Sequence, residues 1–226
     1  MEFLLDTANI EKIKKYCEFM PVSGVTTNPS ILSKENDPDF WGRLYAIREI
    51  IGQEGALHVQ ITGSTAEENV KEAELVAERL GRDTYIKVPV NRCGLKTMKL
   101  LKAEGFRITA TAVFSAGQAM LAGAAGADYV APYFNRMGAN GIDSVHVISD
   151  IAELYAVNGI GTKIVAASFR SPTQIMDAMK AGAHAVTAAP EHFDPWFGNS
   201  LIDTAVGTFD ADWRRIYGDR RIYELG

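Results

Sequence analysis

The chain has 226 residues, of which 47% are hydrophobic and 23% charged, a composition ordinary for a globular protein with one sizeable core. Its net charge of −5 argues against nucleic acid or an anionic membrane as the main partner. No apolar run approaches a membrane span, no signal peptide precedes the first strand-like segment, and Cys17 and Cys93 form neither a CxxC pair nor a disulfide framework; a cytoplasmic protein with reduced thiols is expected.

Short apolar runs alternate with longer amphipathic stretches eight times. Strands are predicted over Phe3–Asp6, Gly24–Thr26, Leu57–Ile61, Tyr85–Val88, Ile108–Val113, Tyr129–Tyr133, Lys163–Ala167 and Ala185–Thr187. Helical patterns lie between them at Ile10–Phe19, Phe40–Ile51, Thr65–Leu80, Gly94–Glu104, Ser115–Ala122, Ser144–Tyr155 and Thr173–Ala181. Eight strand–helix units in a chain of this length predict an α/β fold, a single (β/α)8 TIM barrel. A doubly wound open sheet would have fewer strands and a glycine-rich fingerprint after the first, and none follows Phe3–Asp6. Gly123-Ala124-Ala125-Gly126 reads as a helix end and turn, and Gly138-Ala139-Asn140-Gly141 as a loop hinge. No linker divides the chain, so residues 1–226 are expected to form one domain, with the barrel over 1–199 and an extra C-terminal helix over 200–217. Ser200 and Asp203 suggest a weak capping box for that helix. Leu201, Ala205, Phe209, Trp213 and Ile216 then recur at near-helical spacing, which suits either a cover for the chain's own barrel or an arm on a neighbouring subunit.

The strand around Lys87 is the most informative. Inside the run Tyr85-Ile86-Lys87-Val88-Pro89-Val90, burial penalises an ammonium, and an amine made neutral in this way can attack a ketone to form a Schiff base. A lysine that snorkels its head into water from a strand end is the plainer alternative. Active sites of such barrels form at the C-terminal strand ends, and nearly every strand here ends in a polar group. Asp6 ends the first, Thr26 runs into Thr27-Asn28-Pro29-Ser30, and Gln60 and Lys87 lie on the third and fourth. Thr109 and Thr111 lie on the fifth, Tyr133 ends the sixth before Asn135 and Arg136, and Ser168 precedes Arg170 after the seventh. Singly, each has a local explanation: Asp6 could cap the helix near Asn9, Thr111 could bond its own backbone, and Tyr133 could sit at a wet rim. Together they need partners, either one another or a ligand. Arg136 and Arg170, with the Ser168 hydroxyl, suit a phosphate, because the guanidinium fork matches its oxygens; two solvated surface arginines are the alternative. The four histidines lack ligand spacing, and no HExxH, GxSxG or P-loop occurs, so no metal site is expected.

These motifs together resemble the small transaldolase family, and within it the fructose-6-phosphate aldolase branch. The likeness runs through Leu4-Leu5-Asp6-Thr7, Gly24-Val25-Thr26-Thr27-Asn28-Pro29-Ser30, Lys87-Val88-Pro89 and Leu100-Leu101-Lys102-Ala103-Glu104-Gly105. It continues through Tyr129-Val130-Ala131-Pro132-Tyr133 with Asn135-Arg136, and Ala166-Ala167-Ser168-Phe169-Arg170. The resemblance implies a Schiff base at Lys87 with a ketose, Asp6 as general acid/base, and substrate hydroxyls held by Asn28 in a pocket that Thr26 lines. It further implies phosphate binding by Arg136, Ser168 and, by position, Arg170, and a water held by Gln60, Thr111 and Tyr133 for proton transfers. No cofactor is implied, because the iminium is itself the electron sink. The partners implied are sugar phosphates and small hydroxyketones or aldehydes, and the assembly a ring-like homo-oligomer, pentamer or decamer. Family members that transfer the dihydroxyacetone unit carry Glu at the place of Gln60 and Phe at the place of Tyr133, so this chain looks more like an aldolase that cleaves fructose 6-phosphate. Transaldolase activity in the pentose phosphate pathway, a deoxyribose-phosphate-type Schiff-base enzyme and a non-catalytic phosphosugar-binding barrel are the alternatives.

Overall fold

The computed structural model describes residues 1–226, which fall into two compact units, Met1–His192 and Phe193–Gly226. In the first, eight parallel strands close into a barrel in sequence order: β1 Glu2–Asp6, β2 Val22–Thr26, β3 Ala56–Gln60, β4 Tyr85–Pro89, β5 Arg107–Val113, β6 Tyr129–Pro132, β7 Lys163–Ala166 and β8 Ala185–Ala188. The last pairs with the first. The helices are α1 Ile10–Cys17, α2 Pro29–Leu32, α3 Phe40–Ile51, α4 Ala66–Leu80, α5 Arg92–Ala103, α6 Ala116–Ala124, α7 Phe134–Ala139, α8 Ser144–Val157 and α9 Pro172–Lys180. The longer ones cover the outer face, while the short α2 and α7 carry residues of the cavity at the strands' C-terminal ends.

Local chemistry explains where most of these helices begin. Asn9, Asp39, Thr65, Asn91, Ser115, Asp143 and Ser171 each cap a helix by accepting a hydrogen bond from a first-turn N–H. Thr65 and Glu68 form a reciprocal capping box. Ala73, Val76 and Leu80 then turn one face of α4 inward, the helical spacing that a buried stripe requires. The strands are covered on both faces, so they read as continuous apolar runs. Gly94 is required by packing: a Cβ there would collide with the Pro89 carbonyl, at the point where α5 leaves β4.

Three short features differ from the sequence expectation. β6 stops at Pro132, and Tyr133 makes only an isolated bridge to Ala167 before serving as N-cap of α7. Gly138 and Ala139 finish α7 instead of forming a loop, and the turn comes at Gly141 with φ of 74°. The four-residue α2 and six-residue α7 are too short to display a helical period in sequence.

The N-terminal floor of the barrel is closed by aromatic and charged side chains. His58 of β3 is fully buried, stacks on Tyr85 at 4.5 Å and meets Tyr129 edge-on at 5.5 Å. Its Nδ1 lies 2.8 Å from the Thr109 hydroxyl, while Nε2 has no partner. The Tyr129 hydroxyl donates to Glu2 at 2.6 Å, and Lys163 pairs with the same carboxylate at 2.7 Å. Burial, with the charge of Lys87 nearby, lowers the His58 pKa to about 3, so the ring is neutral.

The second unit holds α10 Asp194–Phe197 and α11 Ser200–Tyr217. Asn199, not Ser200, caps α11: its side chain accepts from the Leu201 N–H, and Ser200 is the first helical residue. Trp213 packs on Tyr217 at 4.4 Å and donates from Nε1 to the Arg220 carbonyl at 2.7 Å. Leu201, Ile202, Val206, Phe209 and Ile216 are all exposed, leaving an apolar helix face uncovered within this unit. No helix in the chain is long and apolar enough to cross a membrane.

Candidate active site

At the C-terminal ends of the strands, a cavity of about 220 Å³ collects nine of the ten predicted site residues: Asp6, Thr26, Asn28, Lys87, Thr111, Tyr133, Arg136, Ser168 and Arg170. The tenth, Gln60, is the cross-strand neighbour of Lys87 but lines an adjacent cavity of about 380 Å³ with Ile61, Pro89 and Asn91.

Lys87 does not snorkel. It is 5% exposed, and its Nζ donates to the Thr27 carbonyl at 2.7 Å. That carbonyl is itself held in place, because the Thr27 N–H and hydroxyl both donate to the His58 carbonyl, at 3.0 and 3.1 Å. Burial pushes the Lys87 pKa below the usual lysine range, against the opposing charge of Asp6. Asp6 mirrors it: burial raises its pKa, while Lys87 first, and then the hydrogen bond from Thr26, oppose the rise. Both groups are thereby brought toward the neutral states that proton exchange requires.

Asp6 caps nothing, since Asn9 holds that position on α1. Its Oδ1 instead accepts from the Thr26 hydroxyl at 2.6 Å. Thr111 likewise turns from its own backbone to Tyr133, with the two hydroxyl oxygens 2.9 Å apart. The Tyr133 ring is gripped by Phe114, edge-on at 5.6 Å, and by Arg136, whose guanidinium lies 4.8 Å from the ring centre. Asn28 has a local duty besides any ligand: its Oδ1 caps α2 by accepting from the Ile31 N–H at 3.0 Å, leaving its Nδ2 as the free donor.

The arginine side of the mouth is pinned by backbone. Ser168 sits in the left-handed region at φ 64°, an uncommon conformation for a serine, and its carbonyl accepts from the Asn135 N–H at 2.8 Å. Gln174 ties the two arginine-bearing segments, accepting from the Arg170 N–H at 2.8 Å and donating to Asn135 Oδ1 at 3.1 Å. His192 Nε2 lies 3.2 Å from the Phe169 carbonyl in the same segment.

Sequence reading missed Lys34 and Thr187, which also line the cavity. Lys34 comes from the short 3-10 turn Ser33–Glu35, where no pattern announces it. Thr187 was legible in principle, as one more polar residue in a strand of alanine and valine. With Lys34, Lys87, Arg136 and Arg170 around one carboxylate, the lining is strongly cationic and suits an anionic ligand. No three His, Cys, Asp or Glu side chains converge in a way that could hold a metal ion.

Comparison with known proteins places the chain among relatives. The sequence profile of the "Transaldolase/Fructose-6-phosphate aldolase" family matches residues 3–218. The chain is 44% identical over 222 residues to a "Probable fructose-6-phosphate aldolase" of Streptococcus pneumoniae, covering 98% of this chain and 100% of that one. It is 39% identical over 215 residues to a "Probable transaldolase" of a Geobacillus species, covering 95% and 99% of the two chains. Among solved structures, a mandelate oxidase variant with an FMN adduct superposes with a TM-score of 0.59 at 11% identity, over 83% of this chain and 63% of that one. The chain thus spans less than two thirds of that oxidase, and the likeness is one of fold, an eight-stranded parallel barrel with alternating helices. With the profile spanning nearly the whole barrel and two relatives matching end to end, the chain belongs to the transaldolase/fructose-6-phosphate aldolase family, a family of class I aldolases.

Proposed function

We propose that this chain is a Schiff-base aldolase that reversibly cleaves fructose 6-phosphate to dihydroxyacetone and glyceraldehyde 3-phosphate. The observation that carries the reading is a buried Lys87 sharing one cationic cavity with a half-buried Asp6. The uncharged amine of Lys87 attacks the ketone carbon, and loss of the ketone oxygen as water, with uptake of one proton from solvent, gives a protonated imine. The ionised Asp6 takes the proton of the hydroxyl beyond the bond to be broken, and that oxygen becomes the carbonyl of the leaving aldehyde. The electron pair of the broken carbon–carbon bond becomes the enamine double bond as the imine π pair moves onto nitrogen, and return of the proton held by Asp6 to the enamine carbon gives the final imine. Arg136, Ser168 and Arg170 hold the phosphate, so binding far from the reacting carbon positions it. Asn28 offers its Nδ2 to a substrate hydroxyl.

The Thr111–Tyr133 pair supplies two hydroxyls to orient the water that hydrolyses the final imine; Gln60, expected as a third contact, lines the adjacent cavity instead. A second reading, transfer of the dihydroxyacetone unit to another aldehyde, is favoured by the relative named a probable transaldolase. The phenol of Tyr133 favours the first, because an oriented water shortens the life of the enamine intermediate and its imine. The chain acts in the cytoplasm, on sugar phosphates and small hydroxyketones or aldehydes. The family resemblance suggests a pentamer or decamer, and the exposed apolar residues of α11 support a homo-oligomer in which that helix reaches a neighbour.

The deciding test is an assay with fructose 6-phosphate alone, then with erythrose 4-phosphate, alongside borohydride trapping. Acceptor-free release of dihydroxyacetone, with the reduced sugar on the Lys87 peptide, is expected. Rapid transfer with negligible acceptor-free cleavage makes the transaldolase reading correct instead.

A further inference from the structure

Asp6 has a support that none of the roles above uses. The Thr26 oxygen that donates to Asp6 lies 2.6 Å from a second hydroxyl, that of Thr187 on β8. Thr26 is 1% and Thr187 3% exposed, so bulk water satisfies neither. A threonine hydroxyl has a single proton to give. An ionised carboxylate only accepts, so the proton of Thr26 must go to Asp6. The short contact to Thr187 is then filled by the proton of Thr187. The direction of the chain is thereby set: Thr187 donates to Thr26, and Thr26 donates to Asp6.

We infer that Thr187 is a positioning residue for Asp6, acting through the Thr26 hydroxyl. Accepting a proton from Thr187 polarises Thr26 and makes it a better donor, and a donor aimed at a carboxylate favours its ionised form. The other groups that face Asp6 are Lys87 on β4, Lys34 on the turn after α2, and Arg136 on α7, all cationic and all acting in the same direction against burial. Thr187 belongs to the same balance without carrying charge. It also ties the carboxylate to the seam at which β8 closes against β1, where Leu4 faces Thr187 in register. The inference rests on Asp6 being the base in cleavage.

The test is the pH profile of kcat for acceptor-free cleavage of fructose 6-phosphate. Thr187→Val removes the hydroxyl and keeps the shape; Thr187→Ala serves if the valine variant does not fold. The acidic limb, below which Asp6 is protonated, is expected to move up by about 0.5 to 1 pH unit, a roughly three- to tenfold loss of rate on that limb. Thr187→Ser should restore the wild-type limb. In a Thr26→Val background, where the chain is already cut, Thr187→Val should shift the limb no further. An unmoved limb in Thr187→Val, an equal shift in Thr187→Ser, or an additive shift in the Thr26→Val background overturns the inference. If Asp6→Asn cleaves at the wild-type rate, the role of Asp6 itself falls. An inactive Asp6→Asn with an unmoved Thr187→Val limb removes only Thr187.

Discussion

The two ends of the barrel interior treat a buried ionisable group in opposite ways. His58 at the floor and Lys87 at the mouth are both buried, and burial drives both toward the neutral form. At the floor the aromatic rings of Tyr85 and Tyr129 close over the imidazole, and Glu2, Lys163 and Tyr129 satisfy one another. The neutral ring there has nothing to react with. At the mouth, Asp6, Thr111, Tyr133 and the arginines line open volume around Lys87. A perturbed side chain therefore becomes a site only where the packing leaves room for a substrate beside it.

The comparison breaks most sharply at Lys87. Lys87→Met should lower cleavage at least about a thousandfold and abolish borohydride labelling, because it removes the buried amine that forms the imine. In the wild type, trapping should rise with pH through a lysine pKa below 10.5, because only the neutral amine attacks. Labelling that persists at full level in the methionine variant would sink the assignment.

The next effect concerns the water. Tyr133→Phe removes one of the two hydroxyls in the Thr111 pair and should slow acceptor-free cleavage roughly a hundredfold. The ratio of transfer to cleavage should rise with it, read by adding erythrose 4-phosphate. A third variant probes the charged rim: Arg136→Ala should raise KM for fructose 6-phosphate by about ten- to a hundredfold, from the loss of charge-assisted contacts. Non-phosphorylated substrates should be nearly unaffected, and equal losses for both would refute the phosphate role.

The smallest catalytic effect belongs to the floor, where the readout is stability. The folded-state pKa of His58 lies at about 3, below its ordinary value of 6.5, so the unfolded chain binds the extra proton first as pH falls. Stability from the neutral ring is present above pH 6.5 and is lost as pH drops from there toward 3. His58→Phe keeps a ring for the stack and removes the titration. Between pH 7 and 5 the wild type should lose about 2 kcal/mol more than the variant in urea unfolding. Parallel pH profiles would show that His58 titrates normally.

Much of both ends was legible before any coordinates. The eightfold alternation survives because side-chain periodicity is local, and a parallel strand covered on both faces must be apolar whatever its neighbours are. Lys87 stood out for the same reason, as a cation in a run where one is costly. Capping is equally local, since a capping side chain acts within three residues of itself, but the cap of α1 is Asn9 and not the Asp6 that the sequence suggested.

Closure of the barrel decided the rest. Thr187 meets Thr26 across 161 residues, and Tyr129 meets Glu2 across 127, contacts that no local pattern encodes. Only the folded chain shows that Lys34 reaches the mouth from a 3-10 turn and that Gln60 borders a neighbouring cavity. It also shows that Asn28 spends one amide atom on a helix cap. The sequence by itself determined which residues are costly to bury and which elements repeat, because those are properties of short stretches. Which costly groups face one another, and which face open space, was decided by strand register and by the pairing of β8 with β1.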